Sequence, residues 1–235
     1  MKLKTHIRNA IRRIFRKYDL LNKSLKFYKI IPVIPLKKKI YWLFSIRYSE
    51  SKIFGIGLSR TGTTSLTYAL KELGFTSIHS PKFLEPFNIF YIFYKLRNFK
   101  SATDIVVAVN FKLLDKMYPK SKFILTIRNI ETWLESCKKF ISTLSKKRKA
   151  GLAQKIMYGC SDYNREKFRD AYYKHHKDIE EYLKNRPDDL LIMNIEREGY
   201  EKLCPFLGRE VLDKKFPRKN TYFEIFSKLS LRRSK

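Results

Sequence analysis

Acidic side chains are scarce in this chain. Asp and Glu number 22 against 51 Lys and Arg in 235 residues, a formal net charge of +29. Such a field disfavours cationic ligands and favours polyanions: nucleic acid, anionic lipid, acidic glycans or phosphorylated small molecules. The basic residues are spread along the chain rather than gathered in one block, so solubility accounts for part of the excess. Cysteine is also rare. Cys137, Cys160 and Cys204 are odd in number, far apart and without CxxC spacing, which argues against a disulfide framework or a thiolate metal site and for reduced thiols in a cytoplasmic setting. Long apolar runs are missing too. The longest, around residues 30–36 and 40–46, fall far short of the roughly 20 residues of a membrane span. The N-terminus lacks the uninterrupted apolar segment of a secretory signal. Repeats and low-complexity tracts do not occur. A hydrophobic content of 44% argues against disorder, and the length suits one α/β domain with a real core.

Residues 1–51 read differently from the rest. Ile7, Ile11, Ile14, Tyr18, Leu21 and Leu25 form a helical stripe, with Arg8, Arg12, Arg13, Arg16 and Lys17 on the other face. A basic amphipathic helix of this kind either lies on an anionic membrane surface or packs on the domain that follows. Pro32 and Pro35 turn the next stretch into a connector. The expected organisation is a basic arm over 1–51, an α/β domain over 52–225 and a basic tail over 226–235.

The chain is organised around residues 52–75, KIFGIGLSRTGTTSLTYALKELGF. A short β-prone run over 52–56 is followed by a turn with Gly57 and Gly62. From Thr63 the period changes, and Leu66, Ala69, Leu70 and Leu73 mark one helix face, with Gly74 placed to end the helix. A strand, a small-residue loop and a helix together aim backbone N–H groups and a helix dipole at an anion. Ser59, Thr61, Thr63, Thr64 and Ser65 add hydroxyls, and Arg60 adds a fixed charge. This is a phosphate cradle. An ATP or GTP loop reads GxxxxGK[ST], but Thr63 stands in the lysine position here. The dinucleotide pattern GxGxxG fails at Arg60.

Further along, residues 76–80 form a plausible strand bearing His79. Residues 81–100 are aromatic and basic, with Phe83, Phe87, Phe90, Tyr91, Phe93 and Tyr94; they either pack in the core or line an acceptor site. Asp104 precedes the apolar run 105–109, and a short helix is expected over 111–117. KFILTI, residues 122–127, is the clearest buried strand. Arg128 and Asn129 stand at its C-terminal end, where open α/β sheets place ligands. Helices are expected from Ile130 and over 166–183, and a last core strand over 190–195.

The order R-T-G-T-T-S-L resembles the 5′-phosphosulfate loop of sulfotransferases that use 3′-phosphoadenosine-5′-phosphosulfate (PAPS). The spacing Arg128-Asn129-x6-Ser136 resembles their 3′-phosphate site, and YPKSKFILTIRNIETWLES, RPDDLLIMNI, YEKLCPFLG and FPRKN follow the same broad sulfotransferase-like P-loop family. The resemblance covers about residues 52–220. It implies a three-layer α/β/α fold with a mainly parallel central sheet, and PAPS as co-substrate without a metal. The loop 59–65 would hold the 5′-phosphate, with Arg60 stabilising the bridging oxygen by charge, since an arginine hardly gives up its proton. Arg128 and Ser136 would hold the 3′-phosphate. The C-terminal RKG segment of cytosolic relatives is absent, and Arg218 and Lys219 are weak substitutes. Relatives use His or Glu as the base that deprotonates the acceptor; here His79, Glu85 and Asp104 are the candidates. The acceptor would be a hydroxyl or amine compound, a glycan or lipid-linked saccharide in view of the N-terminal arm, with nucleic acid disfavoured. Two other classes stay open: a nucleotide or small-molecule kinase, and a non-catalytic nucleotide- or nucleic-acid-binding protein.

Overall fold

Five short strands run parallel in the order β2-β3-β1-β4-β5, with β1 at the centre. They are β1 (Ile53–Gly55), β2 (Ser77–His79), β3 (Ser101–Thr103), β4 (Lys122–Ile127) and β5 (Leu190–Asn194). The computed structural model describes residues 50–81, 95–143 and 152–219. The N-terminal arm, Glu85 with the aromatic stretch 82–94, the basic stretch 144–151 and the tail from 220 lie outside the described residues.

Alternation along the strands builds two cores. Phe54, Phe123 and Leu125 face one way, into a cluster with α2 (Ile105–Met117), α3 (Ile130–Thr143), α4 (Leu152–Tyr158) and α5 (Arg165–Leu183). Ile53, Ile124 and Met193 face the other way, against α1 (Thr63–Glu72) and α6 (Tyr200–Phe206). Helices on both faces give the three-layer α/β/α architecture, and burial on both sides explains why KFILTI lacks a regular apolar–polar alternation. Gly55 lets α1 lie close to the sheet: a Cβ there would stand 2.8 Å from Thr103 Cγ2 and 2.9 Å from a Leu66 methyl. Gly74, at φ 83°, ends α1. Its N–H donates to Lys71 O and the Phe75 N–H to Leu70 O, the paired bonds of a Schellman motif.

The structure departs from the sequence expectations in the middle of the chain. The run 105–109 is not separate from a helix over 111–117; one 13-residue helix begins directly after Asp104. Its β-branched first turns are buried almost throughout, and that burial outweighs the modest helix propensity of Val and Ile. Strand β3, Ser-Ala-Thr, and the short helix α4 have no counterpart in the sequence reading. Among the described residues no helix is long and apolar enough to cross a membrane.

Helix α5 pins two strand ends. His175 Nε2 donates to Ile56 O at 2.7 Å, just beyond β1. Tyr172 Oη donates to Arg128 O at 2.6 Å and accepts the Arg128 N–H at 3.3 Å, just beyond β4. Burial lowers the His175 pKa despite that carbonyl, and burial together with the neighbouring His175 pushes His176 down to about 4. A folded-state pKa below the ordinary value means that the unfolded chain takes up protons first as pH falls. Stability is therefore complete above pH ~6.5, the unperturbed histidine value, and declines toward pH 4. Urea unfolding at stepped pH should show this loss, and His176→Phe should make it shallower.

Candidate active site

The C-terminal ends of β1 to β4 meet around the loop 56–62. Gly57 is required because the loop passes against β4: a Cβ would stand 1.9 Å from Thr126 Oγ1. Thr61 ties the turn internally. Its hydroxyl donates to Leu58 O at 2.7 Å and shares a 2.7 Å bond with Thr126 Oγ1. Trp133 Nε1 on α3 donates to Ser59 O at 3.0 Å. The loop is thus held by β4 and α3 as well as by its own turn. Gly62, at φ 98°, sits at the N-cap of α1 and offers no side chain to the first helical N–H groups, so the start of the helix is open to an anion.

This helix start faces a cleft of about 660 Å³ that is also lined by α3, the end of β5 and the segment reaching Lys219. That volume falls within the range of small-molecule sites, roughly 300–1,000 Å³. Arg60 bridges the two sides. Its Nε donates to Ser136 Oγ at 3.1 Å, and its guanidinium lies 5.2 Å from the centre of the Phe140 ring. Burial lowers its pKa, from a starting value so high that the group stays charged. Arg128 pairs through Nη2 with Glu196 at 2.9 Å, while its Nε is buried without a hydrogen-bond partner among the described residues. The Lys219 N–H donates to Ser65 Oγ at 3.0 Å, and Arg218 and Lys219 both border the cleft.

Beside the cleft lies a polar group of a different kind. His79 Nδ1 bonds Thr103 Oγ1 at 3.0 Å and Thr67 Oγ1 at 3.4 Å, and Nε2 bonds Thr64 Oγ1 at 3.0 Å. Asp104 Oδ2 stands 4.0 Å from Nε2, and Asp104 Oδ1 accepts the Ser59 hydroxyl at 2.9 Å. Burial lowers the His79 pKa, opposed by Asp104 and reinforced by Lys71. A neutral imidazole is the form that can take up a proton near pH 7.

The structure brings Ser59, Arg60, Thr61, Gly62, Thr63, Thr64, Ser65, His79, Asp104, Arg128 and Ser136 to this one end of the sheet; Glu85 lies outside the described residues. Five of these hydroxyls have internal partners: Thr61 in the turn, Ser59 on Asp104, Thr64 on His79, Ser65 on the Lys219 N–H and Ser136 on Arg60. Sequence reasoning missed Glu196, Thr103 and Trp133. Glu196 could have been found, because it follows β5 as Arg128 follows β4.

A model of the Sulfotransferase domain family matches residues 52–87 and 91–225. That is most of the chain, and the chain belongs to this family. No individually curated protein matches it. The fold and the family together make it a transferase of sulfuryl groups, working between a nucleotide sulfate donor and an acceptor.

Asp104 has φ 99° and ψ 174°, a backbone region that is essentially glycine's and costs other residues about 1–3 kcal/mol. Its carboxylate is nevertheless placed between Ser59 and His79. Asp104→Gly and Asp104→Ala both remove that carboxylate, so their difference reports the backbone alone. Denaturant unfolding should find the Gly variant more stable by about 1–2 kcal/mol; equal stabilities would show that the backbone is unstrained.

Proposed function

We propose that the protein transfers a sulfuryl group from PAPS to a hydroxyl or amine acceptor, and that its catalytic domain spans residues 52–225. The Arg60–Ser136 hydrogen bond carries this reading. It joins the phosphate loop and α3 across one cleft, as a ligand with phosphates at both ends requires. The residues present fit such a donor. The uncapped start of α1 suits the 5′-phosphosulfate, and the buried, unpartnered Arg128 Nε belongs to a guanidinium suited to a second phosphate. When bound, PAPS supplies a sulfuryl group already activated by its bond to phosphate.

The chain's own residues supply position, charge and a proton acceptor. Thr63, Thr64, Ser65 and the α1 N–H groups hold the 5′ end, and Arg60 offsets charge developing on the bridging oxygen. Arg128 and Ser136 hold the 3′-phosphate. His79 is the base. Hydroxyls fix Nδ1, and Nε2 turns toward Thr64 and Asp104, where it takes the acceptor's proton. The Asp104 carboxylate then stabilises the imidazolium. A glycan or lipid-linked saccharide is the acceptor class we favour, delivered to a peripherally bound cytoplasmic enzyme through the basic arm 1–51.

Calorimetry at physiological salt tests the donor site. The product 3′,5′-ADP should bind at micromolar concentration, ahead of 5′-AMP and Mg·ATP, and Arg128→Ala should erase the preference. Equal binding of 3′,5′-ADP and 5′-AMP would end this reading. The base has a separate test. His79→Gln should lower kcat by about 10²–10⁴-fold while leaving 3′,5′-ADP affinity within about threefold. Because the neutral imidazole is the active form and its pKa is lowered, wild-type kcat should fall on acidification with an apparent pKa below about 6.5.

A further inference from the structure

Three carboxylates line a cleft that is otherwise suited to anions: Glu131, Glu135 and Glu196. Two are neutralised by cations on α5. Arg165 pairs with Glu131, and with Glu135 at 3.1 Å, and Arg169 pairs with Glu131 at 3.1 Å. Glu196 differs, because its partner is Arg128, one of the cleft's own cations. Its backbone is fixed, with the N–H donating to Asn194 Oδ1 at 3.1 Å and the carbonyl accepting from Arg218 Nη2 at 3.4 Å. Its side chain is about half exposed at 49%, against 27% for Arg128. A carboxylate so placed can leave the guanidinium by rotating into solvent without disturbing the strand end.

We infer that Glu196 is a specificity-determining residue that competes with the ligand's 3′-phosphate for Arg128. This rests on the donor reading above. The phosphate and the Glu196 carboxylate are anionic acceptors for one guanidinium, so a phosphate reaching Arg128 competes with Glu196 for Nη2 and meets the repulsion of its carboxylate. The ion pair is half-exposed and hence weak, which makes the exchange cheap. It also gives the leaving phosphate a ready replacement. Glu196 thus lowers affinity for 3′-phosphorylated nucleotides and speeds their release, and it has no such effect on nucleotides that lack the 3′-phosphate.

The test is calorimetry of 3′,5′-ADP and 5′-AMP on the full chain with Glu196→Gln, which keeps a hydrogen-bonding side chain opposite Arg128, and with Glu196→Ala as a second variant. Stopped-flow release of 3′,5′-ADP accompanies it. The expected result is about tenfold tighter binding and slower release of 3′,5′-ADP, with 5′-AMP unchanged and the gain abolished when Arg128→Ala is added. If wild-type protein binds 3′,5′-ADP no better than 5′-AMP, the donor reading fails and this inference with it. If wild type shows the preference and both Glu196 variants keep the same affinity, the inference alone is overturned. Equal tightening of both nucleotides would also overturn it, because Glu196 would then act only through the overall field of the cleft.

Discussion

The close approach of the 57–62 loop to the end of β4 is the constraint on which this site depends. Only a glycine at position 57 lets the loop pass Thr126, and the contact lets the Thr61 and Thr126 hydroxyls bond across it. Once the loop is seated there, α1 must start beside β4, and Arg60 is directed at α3 rather than into solvent. Trp133 fixes the same loop from α3. The groups that meet an anion are therefore carried by packed elements and not by a free loop, the arrangement expected of a preorganised site.

Electrostatics in the cleft are more balanced than the net charge of +29 implies. Arg60 of the loop and Arg128 just beyond β4 share the cleft with Glu131 and Glu135 of α3 and with Glu196 just beyond β5, and α5 supplies further arginines that hold the α3 carboxylates. The whole-chain field raises the local concentration of anions at long range. Discrimination among them falls to a few charges at short range. The half-buried imidazole stands apart from this balance, surrounded mainly by hydroxyls, which hold the ring without fixing a charge on it.

Much of this was legible in the residues. KFILTI and the 165–183 helix announce themselves by composition and period, and the glycines and hydroxyls of 57–65 mark the loop. Strand β3 was hidden because Ser-Ala-Thr has no apolar signature. Its small side chains serve the close packing of α1, where Thr103 touches the space Gly55 leaves open. The start of α2 was hidden because burial on nearly all sides erases amphipathic contrast. His79 and Asp104 were visible separately, and only parallel pairing of β2 with β3 makes them neighbours. Glu196 was legible by its place after β5, but charge reasoning argues against an acid beside a phosphate site until its partner Arg128 is seen.

The two ties made by α5 have a geometric consequence. Tyr172 and His175 are three residues apart and so lie on one face of the helix, and together they hold the backbone just beyond β4 at Arg128 and just beyond β1 at Ile56. Both strand ends are thus referred to a single helix. The distance from the loop to Arg128 cannot widen or narrow without stretching one of its hydrogen bonds. The two halves of the cleft are consequently tied to one rigid element that itself contributes no residue to the cleft lining.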